Sequence, residues 1–142
     1  MSLVTAEKSC FSDEITHGVW KLSMRINQVD NVDFGVIHSR QLEVCKTGPL
    51  RGRRETFVYC LSTSSLISDG NQFPVDFQIP KANEVVTLHL DMNERRLVLS
   101  VDGKNQQQSF SNIPNRARFV LQMVEGNRTA EILSFEKVAH VS

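Results

Sequence analysis

The chain has 142 residues, of which 40% are hydrophobic and 23% charged, and its 16 basic and 16 acidic side chains cancel. That size fits one domain with a single substantial core, residues 1–142 throughout, and the neutral balance gives no global charge that would draw the chain to nucleic acid or to a membrane. The apolar runs are too short to span a bilayer.

Taken in chain order, the sequence reads as a series of strands. In 19–27, Trp20, Leu22, Met24 and Ile26 fall on one face and Lys21, Ser23, Arg25 and Asn27 on the other, the period of two expected of a half-buried strand. Residues 34–38 form a shorter strand with Gly35 inside it, which marks a bulge or the close passage of another backbone. A strand over 56–62 carries Phe57, Val58, Tyr59, Cys60 and Leu61. The clearest unit is His89 to Gly103: Leu88 and Leu90 alternate with His89 and Asp91, Leu97, Leu99 and Val101 alternate with Val98 and Ser100, and Asp91-Met92-Asn93-Glu94 supplies turn-capping side chains between them. Strands over 119–124 and 130–135 close the series around the turn Glu125-Gly126-Asn127. Many short strands with no long amphipathic helix predict an all-β, antiparallel two-sheet sandwich or barrel.

Two longer connections interrupt the strands. Residues 40–55 contain Lys46, Gly48, Pro49, Arg51, Gly52, Arg53 and Arg54, and residues 62–81 are rich in Ser, Asp, Gly and Pro. Loops of this length in a compact domain are uncommon and often carry function.

Enzymatic signatures are missing from the sequence. The histidines at 17, 38, 89 and 140 stand far apart, with no nucleophile elbow and no phosphate-binding glycine loop beside them. His89 and Asp91 share a strand face and are a candidate metal pair, but an exposed polar face is the simpler reading. Asp30-Asn31-Val32-Asp33 lacks the spacing and terminal Glu of a calcium loop, and the paired strand carboxylates of a glycosidase are absent. No catalytic residue, metal ligand or cofactor is therefore expected. What stands above background is the basic cluster Lys46, Arg51, Arg53 and Arg54, because an Arg fork grips carboxylates and phosphates in two-point fashion. A merely solvated loop is the competing reading. Cys10, Cys45 and Cys60 are odd in number and not closely spaced, which fits thiols in a reducing compartment. The first twenty residues hold Glu7, Asp13 and Glu14 in place of a basic start and an apolar stretch, so a cytoplasmic setting is expected.

The hairpin also carries a family resemblance. Leu90-Asp91, a turn, and then Leu97-Val98-Leu99-Ser100-Val101-Asp102-Gly103-Lys104 resemble the most recognisable segment of the SPRY domain family, with Leu99 and Ser100 where that family has an aromatic pair. Gly18-Val19-Trp20-Lys21-Leu22 and Phe34-Gly35-Val36-Ile37 resemble two further strands of that family, in the same order, and the likeness spans about residues 17–137. The resemblance implies a bent, jelly-roll-like antiparallel sandwich that binds a protein or short peptide through loops at one edge, without catalysis, often as a module of a larger eukaryotic intracellular scaffold or adaptor. It also implies that Trp20 is a core residue. Joined to the basic loop, this gives an expected partner surface of Arg40, Lys46, Arg51, Arg53 and Arg54, with Tyr59, Asn71 and Gln72 beside it. A carbohydrate-binding lectin-like domain and a small oligomerising subunit are the alternatives; a monomer is the favoured state.

Overall fold

The computed structural model describes residues 3–5, 9–28, 32–41, 54–61, 63–69, 71–74, 76–123 and 129–139. The expected sandwich is present. One six-stranded antiparallel sheet holds, in order, β1 (Leu3–Thr5), β12 (Thr129–Val138), β3 (Val19–Ile26), β8 (Val85–Asp91), β9 (Arg96–Val101) and β10 (Lys104–Phe110). The other holds β2 (Ser9–Phe11), β11 (Ala117–Met123), β4 (Val32–His38), β5 (Thr56–Cys60), β6 (Ser65–Ser68) and β7 (Asn71–Pro74).

Alternation decides which side chains fill the space between the sheets. From β3 come Leu22, Met24 and Ile26, from β8 Val86, Leu88 and Leu90, and from β9 Leu97, Leu99 and Val101; they meet Phe34 and Val36 of β4, Phe57 and Tyr59 of β5, and Phe119 and Leu121 of β11. Trp20 is half-buried against this core and donates its indole N–H to the His17 carbonyl at 3.0 Å. Strands β4 and β5 are buried on both faces: Ile37, Val58, Cys60, Ile67 and Val120 form a second apolar cluster on the far side of their sheet. That explains the unbroken apolar run in β5, which a one-sided strand would not carry.

The structure corrects the sequence reading in three places and adds a strand, at 104–110, that the sequence reading did not anticipate. Residues 62–81 are not one loop, because β6 and β7 pair there as antiparallel neighbours, Ser68 opposite Asn71. The polar run at 104–110 is the edge strand β10, paired to β9. His89 is not on an exposed face: it is 4% exposed, and burial, with the Lys21 charge beside it, holds its imidazole below the usual value. Its supposed metal partner Asp91 spends Oδ1 on the turn, accepting the Asn93 and Glu94 amides at 2.9 and 3.0 Å. This is the turn capping expected of it. Asp30-Asn31-Val32-Asp33 reads as a solvated turn in the sequence, but Val32 and Asp33 are buried at the start of β4, paired on both sides; Asp30, Asn31 and the turn Glu125-Gly126-Asn127 lie outside the described residues.

Candidate functional site

One end of the sandwich carries two adjoining depressions. The larger, about 480 Å³, is lined by His38 and Glu55 at the facing ends of β4 and β5, by Phe57, Ser68 and Asp69, by Arg95 from the β8–β9 turn, and by Ser111, Asn112, Pro114 and Asn115 between β10 and β11. Both sheets therefore contribute to it. The smaller, about 440 Å³, is lined by Arg40, Gln41 and Arg54 and shares Glu55 and Asp69 with its neighbour.

Glu55 organises the wall between them. Its carboxylate accepts Arg40 Nε at 2.7 Å and Gln41 Nε2 at 3.1 Å, and His38 Nε2 stands 3.9 Å away. Burial alone would raise this carboxyl's pKa, but the hydrogen bonds from Arg40 and Gln41 and the nearby His38 and Arg40 outweigh it and hold the group below the ordinary carboxylate value. Its backbone is fixed as well: the Glu55 amide donates to Asp69 Oδ1 at 2.6 Å, and the Glu55 carbonyl accepts the His38 amide at 2.9 Å. The short helical turn Ser39–Gln41 lets the Arg40 amide donate to His38 Nδ1 at 3.0 Å, which tethers the start of the 40–55 connection to β4.

Backbone strain gathers at this end. Glu55, Asp69, Arg95 and Asn112, all lining the larger depression, have φ values of 59°, 52°, 55° and 61°, a left-handed region that costs an L-residue of this kind roughly 1 kcal/mol or more. Such strain often accompanies a binding surface, where a side chain must be presented in a fixed direction.

The expected partner residues divide accordingly. Arg54 is exposed and lines the smaller depression, with no ion pair among the described residues. Arg40 lines it too, but its fork is engaged on Glu55, so it braces the site from within. Asn71 and Gln72 are exposed on the edge strand β7, where Gln72 Nε2 donates to Ser65 Oγ at 2.8 Å. Tyr59 is corrected outright. It is fully buried at the core, edge-on to Phe77 and Phe110 at ring-centroid distances of 5.7 and 5.1 Å, and offers no surface to a partner. Burial raises its phenol far above the usual value, opposed by the hydrogen bond to Leu99. Lys46, Arg51 and Arg53 lie outside the described residues. Sequence reasoning missed His38, Glu55, Asp69, Arg95, Asn112 and Asn115. The one sequence cue among them was Asp69-Gly70, a hairpin-turn dipeptide.

No protein-family model matches the sequence, and no curated protein does. Solved structures match the fold. The SPRY domain of human HERC1 superposes with a TM-score of 0.72 at 15% identity, over 92% of this chain and 86% of that one. The TRIM65 PSpry domain gives 0.67 at 18% identity, over 86% and 68%. Two packed six-stranded antiparallel sheets, the first of them carrying the β8–β9 hairpin, matched over most of this chain's length to these two domains, give this chain a SPRY-type β-sandwich fold.

Proposed function

We propose that the chain is a non-catalytic protein-interaction module that holds an acidic or polar segment of a partner protein at the loop end of the sandwich. The observation that carries this reading is the pair of joined depressions with Arg54 and Arg95 on their rims, on a fold shared with SPRY domains. A combined volume of this order accommodates a few peptide side chains and little more. The connection that leads to Arg54 adds the positive charges of Lys46, Arg51 and Arg53 in sequence, which suits an acidic partner. A role as a scaffold or adaptor inside the cell follows from this reading and from the cysteine pattern.

The lectin-like alternative wants an aromatic platform on a sheet face. On the outward side of the first sheet Ser23, Thr87, His89, Val98 and Ser100 are buried, Ser23 and Thr87 sharing a hydroxyl hydrogen bond of 2.8 Å, and no described Phe, Tyr or Trp side chain lies beside Lys21 and Arg25 there; the exposed Phe135 ring packs against Trp20 on the opposite, core-facing side. This favours the peptide reading.

Selection from a random peptide library with the wild-type domain, counter-selected on Arg54→Glu, tests the proposal. Enrichment of Asp- or Glu-bearing peptides that the variant fails to hold is the expected result. Enrichment of nothing, or of peptides that both proteins hold equally, would overturn it.

A further inference from the structure

Arg95 carries a guanidinium that pairs with no carboxylate among the described residues. It sits in the turn between β8 and β9 with φ at 55°, a conformation an arginine adopts at a cost. A two-way clamp holds it there: its carbonyl accepts the Ile113 amide at 3.0 Å, and its own Nε donates to the Ile113 carbonyl at 2.6 Å. With Nε spent, the two terminal nitrogens remain, and no described carboxylate pairs with them. Arg25, Arg40 and Arg116, by contrast, each pair with a glutamate, respectively Glu131, Glu55 and Glu14. The residue is exposed and lines the larger depression, where the hydroxyl of Ser111 and the amides of Asn112 and Asn115 add further donors.

Resting on the reading above, we infer that Arg95 is the anchor of an oxyanion subsite, taking a carboxylate or phosphate group of the partner segment, with Ser111, Asn112 and Asn115 as neighbouring donors. The physical case is preorganisation. A guanidinium pinned at Nε has already lost most of the side-chain freedom that a surface arginine gives up on binding, so its fork meets a planar or tetrahedral oxyanion at reduced entropic cost. Asp69 and Glu55, at strand ends of the other sheet, line the same depression, but the Asp69 Oδ1 already accepts the Glu55 amide and the Glu55 carboxylate is held by Arg40 and Gln41.

Backbone-amide NMR titration of the domain with three small probes tests this directly: N-acetyl-aspartate amide, N-acetyl-phosphoserine amide and, as the uncharged control, N-acetyl-asparagine amide. Each is titrated into wild type, Arg95→Gln and Arg95→Lys, with the amide spectrum of each variant as the check on its fold. The expected result is saturable, salt-sensitive shifts at Asp69, Arg95 and 111–115 with one or both acidic probes and none with the control. Arg95→Gln should weaken the effect about tenfold or more, and Arg95→Lys should recover only part of it, because a point charge cannot replace a fork. Saturation by aspartate alone assigns a carboxylate, and by phosphoserine alone a phosphate. No saturable shift with either acidic probe, or equal shifts in Arg95→Gln, would overturn the subsite. Peptides that are selected by the domain yet bind Arg95→Gln unchanged would likewise sink the subsite and leave the interaction module standing.

Discussion

Replacing Gly35 by Ala should cost this protein more stability than its single added methyl group suggests. Gly35 lies in the middle of β4, opposite Val58 of β5 and Val120 of β11, with strands hydrogen-bonded on both sides. A Cβ built there would lie 2.5 Å from Val58 Cα, 2.8 Å from Val58 Cγ1 and closer still to the Phe57 carbonyl oxygen. Ordinary carbon–carbon contact needs about 3.5–4.0 Å, so β5 would have to retreat by roughly 1 Å, and backbone atoms cannot rotate out of the way. Overpacking of this kind costs about 1–3 kcal/mol, and loosening one or two ladder hydrogen bonds adds about 1 kcal/mol each, for a total near 3–4 kcal/mol. For a domain of this size that is a fall in Tm of roughly 10–15 °C, large against a total stability of about 5–15 kcal/mol. Gly103 is the natural control. Its φ is 81° but nothing lies within 4 Å of an added Cβ, so Gly103→Ala should cost only the conformational penalty of about 1–2 kcal/mol. Urea denaturation of the two variants beside wild type reads both values. A Gly35→Ala loss below about 1 kcal/mol, or one smaller than that of Gly103→Ala, would refute the close approach of β4 and β5.

His89 makes stability fall as pH drops through the weakly acidic range. Its folded-state pKa is depressed below the ordinary 6.5, so the unfolded chain takes the proton first, and stability is full above that value and lost below it until the folded imidazole itself protonates. Unfolding free energies from urea denaturation at pH 7.5, 6.5 and 5.5 should decline with a His89 contribution of at most about 1.4 kcal/mol per pH unit, and so decline less in His89→Gln than in wild type; identical slopes would contradict the assignment. Glu55 acts lower on the scale: its depressed carboxyl stabilises above the ordinary carboxylate value, and that contribution disappears as pH falls through the folded pKa. Because Arg40 is largely exposed, Arg40→Ala should cost only about 0.5–1 kcal/mol, and less at high salt, in the same denaturation assay. Tyr59→Phe should cost about 1 kcal/mol through the lost hydrogen bond to Leu99 while leaving the affinity for any selected peptide unchanged; a weakened affinity would return Tyr59 to the partner surface.

The first sheet was legible where apolar and polar residues alternate, as in β3, β8 and β9, because a face that must be buried writes its period into the chain, and β5 of the second sheet was legible as an unbroken apolar run. Lys104–Phe110 was illegible for the opposite reason. An edge strand needs only one partner and little apolar surface, so its polar residues resemble a loop. The hairpin of β6 and β7 hid among Ser, Asp and Asn residues that equally describe a turn-rich connection. At the candidate site, charge in the sequence pointed through Arg40 and Arg54 to the end of the molecule that carries the two depressions. It could not say that Arg40 would be spent on Glu55, nor that a turn 40 residues after Glu55 would bring Arg95 to the same depression. Tyr59 was misplaced because a tyrosine in an apolar strand reads the same whether its hydroxyl meets solvent or, as here, a backbone group inside the core.

The most direct test of the central claim is to map a library-selected peptide onto the domain by backbone-amide NMR. The account predicts saturable shifts clustered on His38, Glu55, Asp69, Arg95 and Ser111 to Asn115, lost on Arg54→Glu and Arg95→Gln. Shifts centred instead on the outward side of the first sheet, around Lys21 and Arg25, would contradict it.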